Sequence, residues 1–365
     1  MNRILLIGNS GLHNHAEDGQ TIKVRLYLKK IKDEGFKVTF VDLENFIKHP
    51  FSLLSKIKKG IKECDRIVLI SAERGCKFLI PFINRINKKY KRVFVLPLVG
   101  TSVLHYSIDK LSDKEKNRFL LGKEYYLCKK NRKMSKQLSK INYILPETDL
   151  LVDTFKKFYE INNVVKLNNF RENTFVKHAN QISENSLKIV FLSRVMRMKG
   201  IFDLLDVVKE LSKANNIYLD IYGPKNLTTE ENNLFDSFID NHFIKYKGTV
   251  PNGFVCSTLS NYDLFAFPTR FVGEGTPGVI AESLIAGTPV LTVDFPQAHI
   301  LLNDGFDSIF CKMFDPHDLR IKLLYIANNL NILHNLKKGA TKSGMQYSYD
   351  YVRDIFLKYV CGGIK

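Results

Sequence analysis

Two carboxylates, Glu274 and Glu282, frame the stretch of this chain best suited to chemistry: Gly273-Glu274-Gly275-Thr276-Pro277-Gly278-Val279-Ile280-Ala281-Glu282-Ser283-Leu284-Ile285-Ala286-Gly287-Thr288-Pro289-Val290. It reads as a loop turning into a helix, with Thr276 as the cap and Pro277 at the first helical position. Backbone N–H groups around Pro277–Ile280 then lack partners inside the helix, and helix starts of this kind hold phosphate. Glu282 lies within the helix beside Val279, Ile285 and Ala286 at helical spacing. A carboxylate on so apolar a face needs polar partners. A pair of ribose hydroxyls would satisfy it, and Gly278, one turn earlier, leaves room for them. A neighbouring lysine or water would serve equally. Glu274 stands between two glycines that let a ligand approach the backbone. It is either an acceptor for sugar hydroxyls or an ordinary exposed loop glutamate.

A second stretch, Phe191-Leu192-Ser193-Arg194-Val195-Met196-Arg197-Met198-Lys199-Gly200, supplies cations. An apolar strand delivers Arg194 at its carboxyl end, and Lys199 immediately precedes the next helix. Two cations at such a junction suit a diphosphate, arginine as a planar fork and lysine as a mobile point charge. Arg197 is read as a bystander. Taken alone, this spacing arises by chance in any basic protein.

Both stretches need elements to present them. Arg3–Gly8, Lys37–Val41, Arg66–Ser71, Arg92–Leu96 and Asn142–Leu145 read as short strands, with helices at Thr21–Glu34 and Lys77–Lys89. The pattern restarts after a polar stretch at Asn168–Asn185. Strands are then expected at Leu187–Leu192, Ile217–Tyr222, Asp263–Phe267 and Val290–Val293, and helices at Gly200–Ser212 and Pro277–Ala286. Strands alternating with helices imply parallel sheets. The expected fold is therefore α/β, two Rossmann-like domains facing a central cleft, with ligands beyond the carboxyl ends of the strands. The first domain is placed at 1–170 and the second at 171–345. A helix in 346–365 has Tyr347, Tyr351, Ile355 and Tyr359 on one face.

Composition narrows the partners. Residues 1–170 carry 34 Lys and Arg against 17 Asp and Glu, whereas 171–365 carry 21 against 20. One half is strongly basic and suits an anionic surface, lipid or nucleic acid; a solvated basic face without a partner is the plainer alternative. The six cysteines form no C-x-x-C pair, and reduced thiols in a cytoplasmic protein are expected. No apolar run reaches the roughly 18 residues of a membrane span.

These motifs together resemble the family 4 glycosyltransferases, retaining enzymes of GT-B architecture. The resemblance is carried by Arg194 with Lys199, by Glu274 and Glu282 at the family's E-x7-E spacing, by Tyr246-Lys247-Gly248-Thr249-Val250 and by Phe267-Pro268-Thr269. It covers most of residues 185–300. It implies that Arg194 and Lys199 hold the diphosphate of a nucleotide-sugar donor and that Glu274 contacts the transferred sugar. Glu282 would bind the ribose, with Thr276, Gly278 and Val279 near the sugar phosphate and Tyr222, Gly223 and Val250 near the base. It also implies a C-terminal helix that returns to the first domain, and transfer without cofactor or metal. By family frequency the donor is a UDP-sugar. By analogy, a saccharide or lipid-linked acceptor of bacterial surface polysaccharide or lipopolysaccharide synthesis suits the basic half.

In that half, Gly11 follows the first strand, and Gly19, Gln20 and Thr21 open the first helix, where related enzymes close a glycine-rich loop over phosphates. The absence of G-x-G-x-x-G argues against a simple dinucleotide site. His105 is either cleft-facing or a structural histidine. Two basic amphipathic stretches, Phe51–Lys62 and Lys123–Ile141, would suit the inner face of the cytoplasmic membrane. Two other classes fit less well. A nucleic-acid-binding protein would explain the charge but neither glutamate, and no helix-turn-helix, RNP strand or zinc finger is present; nucleic acid is thus not an expected partner. A catalytically silent subunit would not need all four donor-site charges.

Overall fold

The computed structural model describes residues 3–12, 19–99, 132–172, 185–239, 242–272, 274–295 and 297–363. They form two compact units, one from residues up to Glu172 together with Tyr349 onward, the other from the segment between.

The first unit is a parallel sheet of β1 (Arg3–Gly8), β2 (Lys37–Asp42), β3 (Arg66–Ile70), β4 (Val93–Pro97) and β5 (Tyr143–Leu145), in the order β2-β1-β3-β4-β5. Continuous apolar runs in β1 and β3 are buried on both faces, as parallel strands between helices must be. The helices are α1 (Gly19–Asp33), α2 (Pro50–Glu63), α3 (Glu73–Tyr90), α4 (Arg132–Leu138) and α5 (Asp149–Asp153). Ile57 and Ile61 of α2 are fully buried in the core, and a Cβ at Gly60 would lie 2.5 Å from Leu5. Most of the apolar face expected to meet a membrane at Phe51–Lys62 is thus spent on this unit's own sheet. Phe51 is the exception, at 87% exposed.

The C-terminal helix (Tyr349–Ile355) and the wider turn that continues it (Phe356–Cys361) belong to this unit. Its buried stripe is Tyr349, Val352, Phe356 and Val360, while Tyr351 is 64% exposed. The expected face was therefore out of phase. Ser348 is extended, so the helix starts afresh at Tyr349, and Tyr347 instead packs in the second unit with its hydroxyl on the Leu301 carbonyl at 3.4 Å. Phe356 meets Tyr27 at 5.1 Å and Phe170 at 5.5 Å between ring centroids, and Arg353 forks onto Glu34 with two hydrogen bonds of 2.7 Å.

The second unit has six parallel strands, β6 (Leu187–Leu192), β7 (Ile217–Tyr222), β8 (Ile244–Tyr246), β9 (Leu264–Phe267), β10 (Val290–Val293) and β11 (Ser308–Cys311), in the order β11-β10-β9-β6-β7-β8. Helices α6 (Ile201–Asn215), α7 (Thr229–Ile239), α8 (Val255–Leu259), α9 (Gly278–Ile285), α10 (Ala298–Leu301), α11 (Pro316–Asn328) and α12 (Ile332–Gly344) connect and cover them. The chain winds outward from β6 through β7 to β8, then returns to β9 on the other side of β6. The direction reverses between β6 and β9, and this switch point leaves a crevice at the strands' carboxyl ends. No described helix is long and apolar enough to cross a membrane.

Candidate active site

The exits of β6 and β9 are held together by backbone. Gly200 has φ 74°, and a Cβ there would lie 1.7 Å from the Pro268 carbonyl oxygen, so only glycine lets the two loops touch. The Arg270 N–H donates to the Met198 carbonyl at 2.9 Å. Within this junction Lys199, after β6, is ion-paired with Glu274, after β9. Thr269 donates its hydroxyl to the same Glu274 oxygen at 2.9 Å, and the Lys199 ammonium lies 5.3 Å from the Phe267 ring centroid and 5.9 Å from that of Phe271. Glu274 is buried, at 8% exposed, so it is not the exposed loop glutamate that sequence left open. Two residues read separately as diphosphate and sugar ligands are therefore direct partners.

Arg194 is placed by alternation. The N–H groups of Ser193 and Val195 donate to the Tyr222 and Pro224 carbonyls at 3.1 and 2.9 Å, and Val195 is fully buried, so the side chain between them points outward. Arg194 is exposed and makes no ion pair among the described residues. Arg197, the expected bystander, is occupied: it pairs with Glu231 at 2.8 Å and lies over Phe202 at 4.7 Å.

α9 begins one residue later than its sequence suggested. Pro277 (φ −57°, ψ 121°) is the capping position and Gly278 opens the helix, so Thr276 is not the N-cap residue. The reason lies in Pro277 itself, whose extended ψ keeps it outside the helix. The Ile280 N–H is taken by the Pro277 carbonyl at 3.1 Å, which leaves the amides of Gly278 and Val279 as those without an intrahelical acceptor. Glu282 is half-buried one turn further on, flanked by buried Ala281 and Ser283.

On the other side of β6, Gly223 (φ 131°) donates to the Gly248 carbonyl at 2.8 Å, joining the exits of β7 and β8. Tyr262 donates to Asp220 at 2.8 Å, so the Tyr222 hydroxyl is the donor in its 3.1 Å contact with Tyr262. Burial, then the bonds to Tyr222 and Asp220, push the Tyr262 phenol far above its usual range. Val250 is half-buried against the same core. Across the strand ends from β9 to β8, three inter-strand spacings give a site about 14 Å long.

The remaining candidates lie in the first unit. Gly11 (φ 62°) closes a turn in which its N–H meets the Asn9 side chain at 2.9 Å. Gly19 starts α1, the Gln20 side chain accepts from the Ala72 N–H at 3.1 Å, and Thr21 is fully buried. His105 lies outside the described residues, as does the part of Lys123–Ile141 before Arg132. Sequence reading missed Thr269, although Phe267-Pro268-Thr269 marked the spot. It also missed the buried pair of Lys23 and Glu147, 2.5 Å apart, in which the Lys23 ammonium also donates to the Leu98 carbonyl at 2.5 Å. Its partners are separated by 124 positions, and no local pattern announces it.

Two open parallel sheets, one with a cationic and carboxylate switch point, define a protein of the GT-B class. Residues 172–343 match the family model "Glycosyl transferases group 1", just under half of the chain. The N,N'-diacetylbacillosaminyl-diphospho-undecaprenol alpha-1,3-N-acetylgalactosaminyltransferase of Campylobacter jejuni is 21% identical over 170 residues, 47% of this chain and 43% of that protein. The match thus spans under half the length of this relative. Two solved structures share the fold over nearly the whole chain. HepE of Anabaena, in complex with UDP and glucose, has a TM-score of 0.67 at 14% identity and 95% coverage of both chains. Sucrose-phosphate synthase of Thermosynechococcus elongatus has 0.69 at 11% identity and 96% coverage of both. The chain is a glycosyltransferase of GT-B fold whose residues 172–343 match this family model.

Proposed function

We propose that this chain is a retaining, family 4-type hexosyltransferase moving a sugar from a nucleotide sugar, a UDP-sugar first among them, to a lipid-linked or saccharide acceptor. The Lys199–Glu274 pair at the β6/β9 switch carries the reading, with Arg194, which makes no ion pair among the described residues, on the same loop and the α9 amides at the neighbouring strand exit. Support for UDP comes from HepE, which binds UDP and glucose. Support for a lipid-linked acceptor comes from the Campylobacter relative's diphospho-undecaprenol substrate.

In this reading the base lies by Tyr222, Gly223 and Val250, the ribose on Glu282, and the diphosphate between Arg194, Lys199 and the amides of Gly278 and Val279. Charge that develops on the leaving diphosphate meets two preorganised cations, which take the place of a metal. Glu274 holds Lys199 in position and keeps one face towards the sugar. It is not assigned as a nucleophile, because an acceptor hydroxyl can attack on the face the diphosphate leaves. The basic first unit supports work in bacterial surface polysaccharide synthesis, by analogy, and a place at the inner face of the cytoplasmic membrane. Ile47 and Phe51, 94% and 87% exposed, lie among its lysines.

A thermal-shift screen of UDP-, GDP- and ADP-hexoses, repeated on Glu282→Ala and Arg194→Ala, tests the donor site. Stabilisation by one nucleotide class, lost in both variants, is expected by mass action. No shift with any donor in a folded sample would instead favour a catalytically silent subunit. NMR of the anomeric proton in the product reads out retention.

A further inference from the structure

The first unit has a groove of about 670 Å³, a size common among small-ligand sites. Arg92, directly before β4, and Asn142, directly before β5, line it, so it opens at the amino ends of the strands. Substrates of open parallel sheets bind at the carboxyl ends. The groove is thus a separate place from this unit's own switch point.

Five cations line it, Arg85, Lys88, Lys91, Arg92 and Lys140, and no described carboxylate does. Arg92 is accounted for by the protein. Its guanidinium donates to the carbonyls of Ile61 at 3.4 Å and Lys62 at 2.9 Å, in the last turn of α2, and stands 3.9 Å from Asp65. The other four make no ion pair among the described residues. Like charges gathered around one concave space repel, and an anion relieves them.

Two further features make the arrangement more than a solvated face. Lys91 follows α3 in the left-handed region (φ 52°, ψ 36°), where glycine is the default. A lysine there carries a conformational cost that its backbone cap, an N–H to the Asn87 carbonyl at 2.7 Å, does not require. Meanwhile the walls are fixed. Asn84 donates to the Gln137 backbone at 2.9 Å and side chain at 3.0 Å, and the Asn87 amide closes on the Arg92 backbone with two bonds of 2.8 Å. Rigid walls hold four cations that make no ion pair among the described residues.

We propose that this groove binds a phosphate-rich anion of the diphosphate type, presented either by a free compound or by the headgroups of an anionic lipid surface. Arg85 supplies the planar fork, and Lys88, Lys91 and Lys140 the point charges. The proposal stands independently of the glycosyltransferase reading.

The test uses the full chain carrying Arg194→Ala, so that the second unit's cationic loop contributes little. One arm titrates inorganic pyrophosphate calorimetrically. The other sediments the protein with vesicles of phosphatidylglycerol and phosphatidylcholine, against phosphatidylcholine alone. Adding Lys91→Glu and Lys140→Glu is expected to weaken binding about tenfold or more in at least one arm. Loss in the pyrophosphate arm assigns a soluble anion, and loss in the vesicle arm alone assigns the headgroup. Lys91→Gly is expected to raise Tm, by relieving the left-handed backbone, while weakening the same binding. Absence of binding in both arms by a folded parent, or binding untouched by charge reversal, overturns the proposal. So does a Lys91→Gly variant with lowered Tm and unchanged binding, which would make the lysine structural.

Discussion

The two sheets reverse direction in the same way, between β1 and β3 in one and between β6 and β9 in the other, yet their switch points are furnished oppositely. Around the first, polar groups are consumed internally: Ser10 bonds to Asp42, Gln20 accepts from Ala72, and nearby Lys23 and Glu147 are buried together. Around the second, the cation–carboxylate pair is accompanied by an arginine with no ion pair among the described residues and by two helix-start amides. The net charges run the other way, since the residues of the first unit hold the whole excess of Lys and Arg. Total charge therefore reports solubility and surface partners, while the candidate donor site is marked by the particular groups that the topology gathers at its switch point.

The sharpest way to break this comparison is to remove one charge from each side. Arg194→Ala should lower turnover about 100- to 1,000-fold, the usual cost of one donor to developing negative charge, with thermal stability unchanged. Steady-state kinetics beside a melting curve reads both, and near-normal turnover would remove Arg194 from the chemistry. Lys23→Met should do the reverse. It leaves the Glu147 carboxylate buried without its cation, which costs about 3–5 kcal/mol in urea unfolding, and adding Glu147→Leu should recover most of the loss. If the single change is silent, the buried pair is not what closes the first unit.

A smaller effect concerns pH. The hydrogen bonds from Arg353, ahead of the opposing effect of burial, hold the Glu34 carboxyl below its ordinary value. A depressed carboxylate contributes stability above its unfolded value and loses it as pH falls through the folded one. The acid-side fall in Tm, below the ordinary glutamate range, should accordingly be shallower in Glu34→Gln than in the parent. Equal slopes would mean that the fork adds nothing to the helix's docking. Least of all should change when thiols are challenged. The five described cysteines are buried, and burial, then Asp318, pushes the Cys311 thiol up to about 12. Native protein should react with maleimide at these positions only as fast as it unfolds, as mass spectrometry of the labelled peptides will read.

Much of this architecture was legible because buried parallel strands declare themselves. Arg3–Gly8 and Leu187–Leu192 are apolar runs ended by polar or glycine residues, and their boundaries match the sequence reading. Two short edge strands gave no such signal. β8 has three residues and β11 four, and neither was anticipated, whereas β5, equally short, and β9 and β10 were read from their apolar runs. The C-terminal helix was found but rotated, because i, i+4 tyrosines mimic a core stripe while the real one runs through Tyr349, Val352 and Phe356. In the candidate site, loop chemistry singled out Arg194, Lys199, Glu274 and Glu282. Contact between Lys199 and Glu274 was invisible, since it spans 75 positions and exists only because β6 and β9 are neighbours.

The return of the chain at Tyr349 bears on the order of synthesis. Phe356, the ring that Tyr27, Phe170 and Tyr349 all meet, is translated after every residue of the second unit. On the ribosome the second unit can close first, while the first waits with an aromatic pocket open for a helix not yet made. Early termination anywhere in the second unit would thus also leave the first without its last piece, and such fragments would expose apolar rings to chaperones or to one another.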